Sequence, residues 1–185
     1  MLVSSLINDS VRQHGKELFR LRKGPARESK AVCEEAVPLG NLLTAEEFSG
    51  WQVRLGAPGD KADGWLRERI NAVEFPIQIV AALDGVDFSA DMRTLNRFGS
   101  TSIKVGSASE IEDGYTDLVN RSIQMKDAKR YPAGYWLLIG VEELNFSLRN
   151  MTSLAERAAD VARGTQFDRV YLAGLELGGG AKRVK

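Results

Sequence analysis

The chain has 185 residues, 25 basic and 25 acidic, one cysteine and one histidine. That length can bury about two thirds of the unfolded surface in one core without staples, and the zero net charge excludes a whole-molecule field pulling it to nucleic acid or membrane, so any polyanion site must be local. Cys33 alone cannot form an intramolecular disulfide framework, and His14 alone removes most zinc sites built from His and Cys, so a reducing, cytoplasmic compartment is the expectation.

The first residues, MLVSSLINDSVRQHG, place no basic segment ahead of an apolar one and read as ordinary structure rather than a signal peptide. The longest apolar runs, Phe75 to Leu83 and Tyr135 to Val141, fall short of the roughly 20 residues a spanning helix needs. A soluble protein that does not enter membranes follows as an expectation.

In chain order, Val3, Ile7, Val11, Leu18 and Leu21, with His14 in line, predict a helix over residues 4–22, stopped by Gly24-Pro25. Residues 25–50 carry Pro38, Gly40 and Asn41 and read as a loop with one or two helical turns, one of them opened by capping at Thr44. Trp51–Leu55 alternates like a half-buried strand, Asp63–Glu68 follows the break at Gly56–Asp60, and Val73–Leu83 is rich in β-branched and aromatic residues, so three strands are expected in succession.

Phe88, Met92, Leu95 and Phe98 share one helical face over 87–98, with Gly99 as the stop. A further helix runs from 109 to 130 on Ile111, Tyr115, Leu118, Val119 and Ser122, with Gly114 as a point where it could divide and Pro132 beyond its end. Tyr135–Val141 is a buried strand, 151–163 an amphipathic helix on Met151, Leu154, Ala158 and Val161, and Arg169–Ala173 a last strand parallel to the first of that pair.

The expected architecture is therefore a single α/β domain over 1–177 with a five-stranded mixed sheet and helices on its faces. Residues 178–185, with three glycines and little to bury, are expected to form a flexible tail.

The stretch from Lys61 to Val80 carries the chemistry. Side chains alternate along a strand, so Glu74, Pro76 and Gln78 share one face. With the hairpin centred near Arg69 and Ile70, Asp63 would sit opposite Pro76, within a diagonal step of Glu74 and Gln78. Two carboxylates and an amide so placed are the hard oxygen ligands that Mg²⁺ or Mn²⁺ takes, and such an ion serves phosphodiester hydrolysis.

On these residues the chain resembles the PD-(D/E)XK, or restriction-endonuclease-like, superfamily. Its core runs helix, three-stranded meander, helix, strand, with an Asp at the start of the second strand and Glu-x-Lys or Glu-x-Gln on the third. The resemblance implies a nuclease acting on DNA, with Asp63 as the family aspartate, Glu74 as the strand glutamate, both as metal ligands, and Glu17 as the helix acid.

The sequence departs from the pattern at Pro76, which stands two after Glu74 where a lysine belongs. Either the register shifts so that Gln78 takes the acid's place, or the lysine lies elsewhere. Lys126 is the candidate migrated lysine, because it continues the Tyr115, Val119, Ser122 line of its helix.

Arg12, Lys16, Arg20 and Lys23 belong to the one local cationic patch, suited to backbone phosphates. Each residue also has a plainer reading: Asp63 as a turn aspartate before Gly64, Glu74 on the solvent face of an edge strand beside Pro76, Lys126 as a snorkelling lysine, and His14 as a packed core-edge histidine. A non-catalytic interaction or nucleic-acid-binding module on the same scaffold is the alternative function, an unrelated small-molecule enzyme is a third, and exposed apolar edges leave room for a homodimer.

Overall fold

In a computed structural model of the chain, residues 31–57, 59–83, 107–142, 148–175 and 179–185 are described. The helices expected over 4–22 and 87–98 lie outside them.

The described chain is an α/β structure built on one mixed six-stranded sheet in sequential order: β1 (Gln52–Leu55), β2 (Gly64–Arg67), β3 (Glu74–Ala81), β4 (Trp136–Val141), β5 (Arg169–Gly174) and β6 (Ala181–Arg183). β1, β2 and β3 form an antiparallel meander. β3, β4 and β5 are parallel, and β6 returns antiparallel to β5.

Two helices bridge the parallel strands, α2 (Ala108–Asp127) and α3 (Leu148–Arg163). Their apolar stripes, Tyr115, Val119 and Ile123 on α2 and Met151, Leu154 and Ala158 on α3, pack in one core with Leu137, Ile139, Val170 and Leu172 of the sheet. Both helices thus cover the same face, as crossovers of one hand moving in one direction along a sheet must.

α2 opens on a capping box, in which the Ser107 hydroxyl accepts from the Glu110 amide while the Glu110 carboxylate accepts from the Ser107 amide at 2.8 Å. Gly114 does not divide it. It ends at Asp127, and Arg130, with φ 53°, turns the chain away.

The opposite face packs against α1 (Val37–Leu42), which continues a π-helical turn (Ala31–Ala36). This region is more ordered than a loop. Pro38 falls in the first turn of α1, where the winding changes from π to α, and Val37, Leu39 and Leu42 are buried. Asn41 then pins α1 to β5 by donating to the Gly174 carbonyl at 2.7 Å. Thr44 caps nothing, donating instead to the Asn41 carbonyl at 2.6 Å, and a 3₁₀ turn (Glu46–Phe48) begins without a side-chain cap.

The strand count corrects the expectation of five, and with it the reading of the C-terminus as a loose tail. After the glycines the chain reverses and lays Ala181–Arg183 along β5. Backbone pairing supplies what the small side chains lack, Val184 packs on the α2/α3 core, and the Lys185 ammonium donates to the Thr165 carbonyl at 2.9 Å. No helix among the described residues is long and apolar enough to cross a membrane.

Candidate functional site

β3 presents opposite chemistry on its two faces. Ile77 and Ile79 enter the apolar core under α1, while Gln78 points to the α2 face. Gln78 is only 3 % exposed, so both halves of its amide require partners. Its Nε2 donates to the Lys61 carbonyl at 2.7 Å, and its Oε1 accepts from Lys126 Nζ at 2.9 Å.

Asp63 precedes β2 and is held from three sides. Its amide donates to the Ile77 carbonyl at 3.1 Å, its carbonyl accepts from the Gly56 amide at 2.8 Å, and its Oδ2 accepts from the Ile79 amide at 2.7 Å. Gly56 makes the approach feasible, because a Cβ there would lie 2.4 Å from the Ala62 carbonyl oxygen.

Lys126 joins the two. It lies in the last turn of α2, is 7 % exposed, and places Nζ 3.0 Å from Asp63 Oδ2. It does face inward, on the buried line of Tyr115, Val119 and Ser122. Burial pushes its ammonium below the ordinary lysine value, against the opposing pull of the Asp63 carboxylate and, more weakly, of Glu35, while Lys129 adds a small downward push. A lysine so placed is a charge-assisted donor that releases its proton more readily than a surface lysine.

The pairing of Asp63 differs from the expected one. Trp65 lies opposite Pro76 and Gly64 opposite Ile77, so Asp63 falls beside Gln78. The hairpin is centred between Ile70 and Asn71, one residue later than expected. Its loop is closed by the Glu68 amide on the Val73 carbonyl (3.0 Å), by Asn71 Nδ2 on the Glu68 carboxylate (2.9 Å), and by Ala72 in the left-handed region at φ 53°. Moving the centre by one residue shifts the pairing by two, which preserves each side chain's face but changes its neighbour.

Glu74 is consequently left out. It pairs with Arg67 at the exposed end of β3, four residues or about 13 Å along the strand from the level of Gln78. The structure therefore brings together Asp63, Gln78 and Lys126 but does not bring Glu74 to Asp63, and the expected convergence of those two acids is corrected. Glu17, His14, Arg12, Lys16, Arg20 and Lys23 lie outside the described residues.

Two residues that sequence reasoning passed over belong to this neighbourhood. Glu35, on the π-helical turn, acts on Lys126 through its charge. It was hidden by Pro38 and Gly40, which made its surroundings look like loop. Tyr131, just beyond α2, has its phenol pushed above the ordinary value by burial and then by the Asp63 carboxylate. Nothing in the spacing of residues along the chain signals it.

As a cation site the cluster has hard oxygens and a competing charge. Asp63 Oδ2 is committed to Ile79 and Lys126, and Oδ1 makes no hydrogen bond among the described residues. Asp63 supplies a carboxylate oxygen of the kind Mg²⁺ accepts, whereas Gln78 Oε1 is turned to Lys126. Among the described residues no three His, Cys, Asp or Glu side chains gather into a group able to hold a metal by themselves.

No family model matches this chain, and neither a curated protein nor a solved structure matches it.

Proposed function

We propose that the protein is a divalent-metal-dependent phosphodiester hydrolase acting on DNA, with a restriction-endonuclease-like core. The observation that carries this reading is the buried Lys126 ammonium held between Asp63 and Gln78. An aspartate heading the second strand of a meander, a polar residue on the third and a lysine at the same point are the parts that the PD-(D/E)XK resemblance implies, with the lysine delivered from the following helix instead of the strand. The meander, α2 and the parallel β4 follow in the order of that core.

In this reading Asp63 holds Mg²⁺ or Mn²⁺, and Glu17 is the helix acid that the resemblance implies. The ion, when bound, lowers the pKa of its water and offsets charge on the phosphoryl oxygen. Ile79 and Gln78 fix the orientations of Asp63 and Lys126. Lys126 donates to the attacked phosphoryl group or takes the proton of the attacking water, which its lowered pKa favours. The patch around Arg12, Lys16, Arg20 and Lys23 contacts backbone phosphates.

One observation favours a second reading, a non-catalytic DNA-binding or interaction module. Lys126 already neutralises Asp63, and Glu74 stands apart. The test is calorimetric titration of Mg²⁺ and Mn²⁺ into the wild type and Asp63→Ala, followed by incubation of both with single- and double-stranded DNA. The hydrolase reading expects metal binding and cleavage in the wild type and loss of both in the variant. A wild type that binds no metal and cuts neither substrate overturns it in favour of the module.

A further inference from the structure

Arg169, at the start of β5, is a half-buried cation held from two sides. Its guanidinium lies over the Trp136 ring, 4.5 Å from the centroid, and its Nη1 donates to the Tyr171 hydroxyl at 3.5 Å. Trp136 and Tyr171 are themselves buried, with ring centroids 5.9 Å apart in the apolar core under α1. The platform beneath the guanidinium is therefore close-packed and fixed.

β6 carries a second arginine to the same place. Arg183 lies directly opposite Tyr171, so it shares the sheet face that Tyr171 and Arg169 occupy. Its Nε donates to the Lys185 carbonyl at 2.8 Å, and the same oxygen accepts from the Val170 amide at 3.4 Å. The Arg183 side chain is thereby tied at the level of Val170, the neighbour of Arg169. Its terminal amino groups make no hydrogen bond among the described residues, and neither arginine forms an ion pair with a carboxylate among them. Cations taken partly out of water are ordinarily paired, so two fixed guanidiniums without a carboxylate leave room for an external anion.

An open groove of about 490 Å³ runs beside Arg183, with Glu46 and Glu47 on one wall and Lys182 and Arg183 on the other. A guanidinium fork matches the oxygens of a carboxylate or a phosphate, but two forks carry two charges, which a phosphate dianion offsets and one carboxylate does not. The acidic wall repels an extended polyanion laid along the groove, which restricts the ligand to a compact one. We infer that Arg169 and Arg183 bind a compact phosphate dianion, free or as the phosphomonoester of a small molecule, with Trp136 and Tyr171 as positioning residues for the Arg169 guanidinium. This site lies on the sheet face opposite the Gln78 and Lys126 side chains and does not depend on the hydrolase reading.

The experiment is calorimetric titration of the full chain with inorganic phosphate and, separately, with ribose 5-phosphate, at constant ionic strength set by chloride. The wild type is expected to bind one equivalent, and the tighter of the two ligands identifies the source of the phosphate. Arg183→Gln, at an exposed position that leaves the fold intact, and Arg169→Lys, which keeps the charge but loses the fork, should each weaken binding by about tenfold, the worth of a hydrogen bond to a charged group. Tyr171→Phe keeps the ring and the charge of the site, and should weaken binding by a smaller factor. Affinity should also rise with pH through the second phosphate ionisation, at about pH 6 for a phosphomonoester. A wild type that binds neither ligand, or wild-type affinity in both arginine variants, overturns the inference. A 5′-phosphorylated oligonucleotide that binds more tightly than ribose 5-phosphate, and loses that advantage in Arg183→Gln, overturns the assignment to a compact ligand.

Discussion

The two faces of the sheet solve the same packing problem in opposite ways. Under α1 the contacts are mostly apolar and largely aromatic, with the Asn41 amide bonded to the Gly174 carbonyl as a polar exception. Phe48 meets Trp51, Trp136 and Tyr171 edge-on, and Phe75 stacks on Trp136 at 4.7 Å. Under α2 the same strand, β3, buries an amide and faces it with a lysine and an aspartate. Aromatic packing stabilises without conditions, whereas a buried ion pair must offset the desolvation of both charges and often does no better than hydrocarbon of equal volume. Gln78 and Lys126 are thus treated differently from Ile77 and Ile79, a contrast that supports the functional reading proposed for the polar cluster.

The sharpest way to test that contrast is to damage each face in turn. Trp136→Ala opens a cavity where Phe48, Phe75 and Tyr171 converge and should lower the free energy of unfolding by about 3–5 kcal/mol in urea. Asp63→Ala strands the buried lysine and should lower it by about 2 kcal/mol, less than for a fully buried pair because the Asp63 side chain is 32 % exposed. Equal losses from the two variants would mean that the faces do not differ as described.

The pH dependence sharpens the same point. Lys126 is held below its ordinary value when folded, chiefly by burial, so between its folded and unfolded pKa the unfolded chain carries more protons. Stability contributed at this site therefore rises as pH climbs through that alkaline window, and the burden is fully present below it. Urea unfolding of the wild type against Lys126→Met from neutral to alkaline pH should show the wild type gaining on the variant as pH rises. Parallel curves would mean that Lys126 is not desolvated.

Much of the fold was legible because its signals are local. The inward line on α2 follows from 3.6-residue spacing, and β4 from an unbroken apolar run. α1 was legible only as one or two helical turns of unfixed place within 25–50, because Pro38 and Gly40 read as breakers although the segment buries three apolar side chains. β6 was hidden because backbone pairing, not composition, holds it. Within the site, Asp63, Gln78 and Lys126 could be named from pattern and resemblance, but which of them meet depended on a hairpin centre that turn chemistry moved by one residue. Glu35 and Tyr131 come from distant segments that no local period connects to Asp63.

The smallest predicted effect isolates the correction at Glu74. Because it lies exposed at the far end of β3, Glu74→Ala should change stability by no more than about 0.5 kcal/mol. It should also leave Mn²⁺ affinity by calorimetry at the wild-type value. Loss of metal affinity would restore the pairing of Asp63 with Glu74 that the register denies.

The most direct measurement is made on the double variant Gln78→Leu with Lys126→Met, which fills the polar cluster with hydrocarbon. Its thermal midpoint and its Mn²⁺-dependent DNA cleavage are read on the same preparation. If the cluster exists for function, the midpoint equals or exceeds that of the wild type while cleavage disappears. A variant that cuts DNA as the wild type does, or that unfolds well below it, would show the cluster to be structural and would contradict the account.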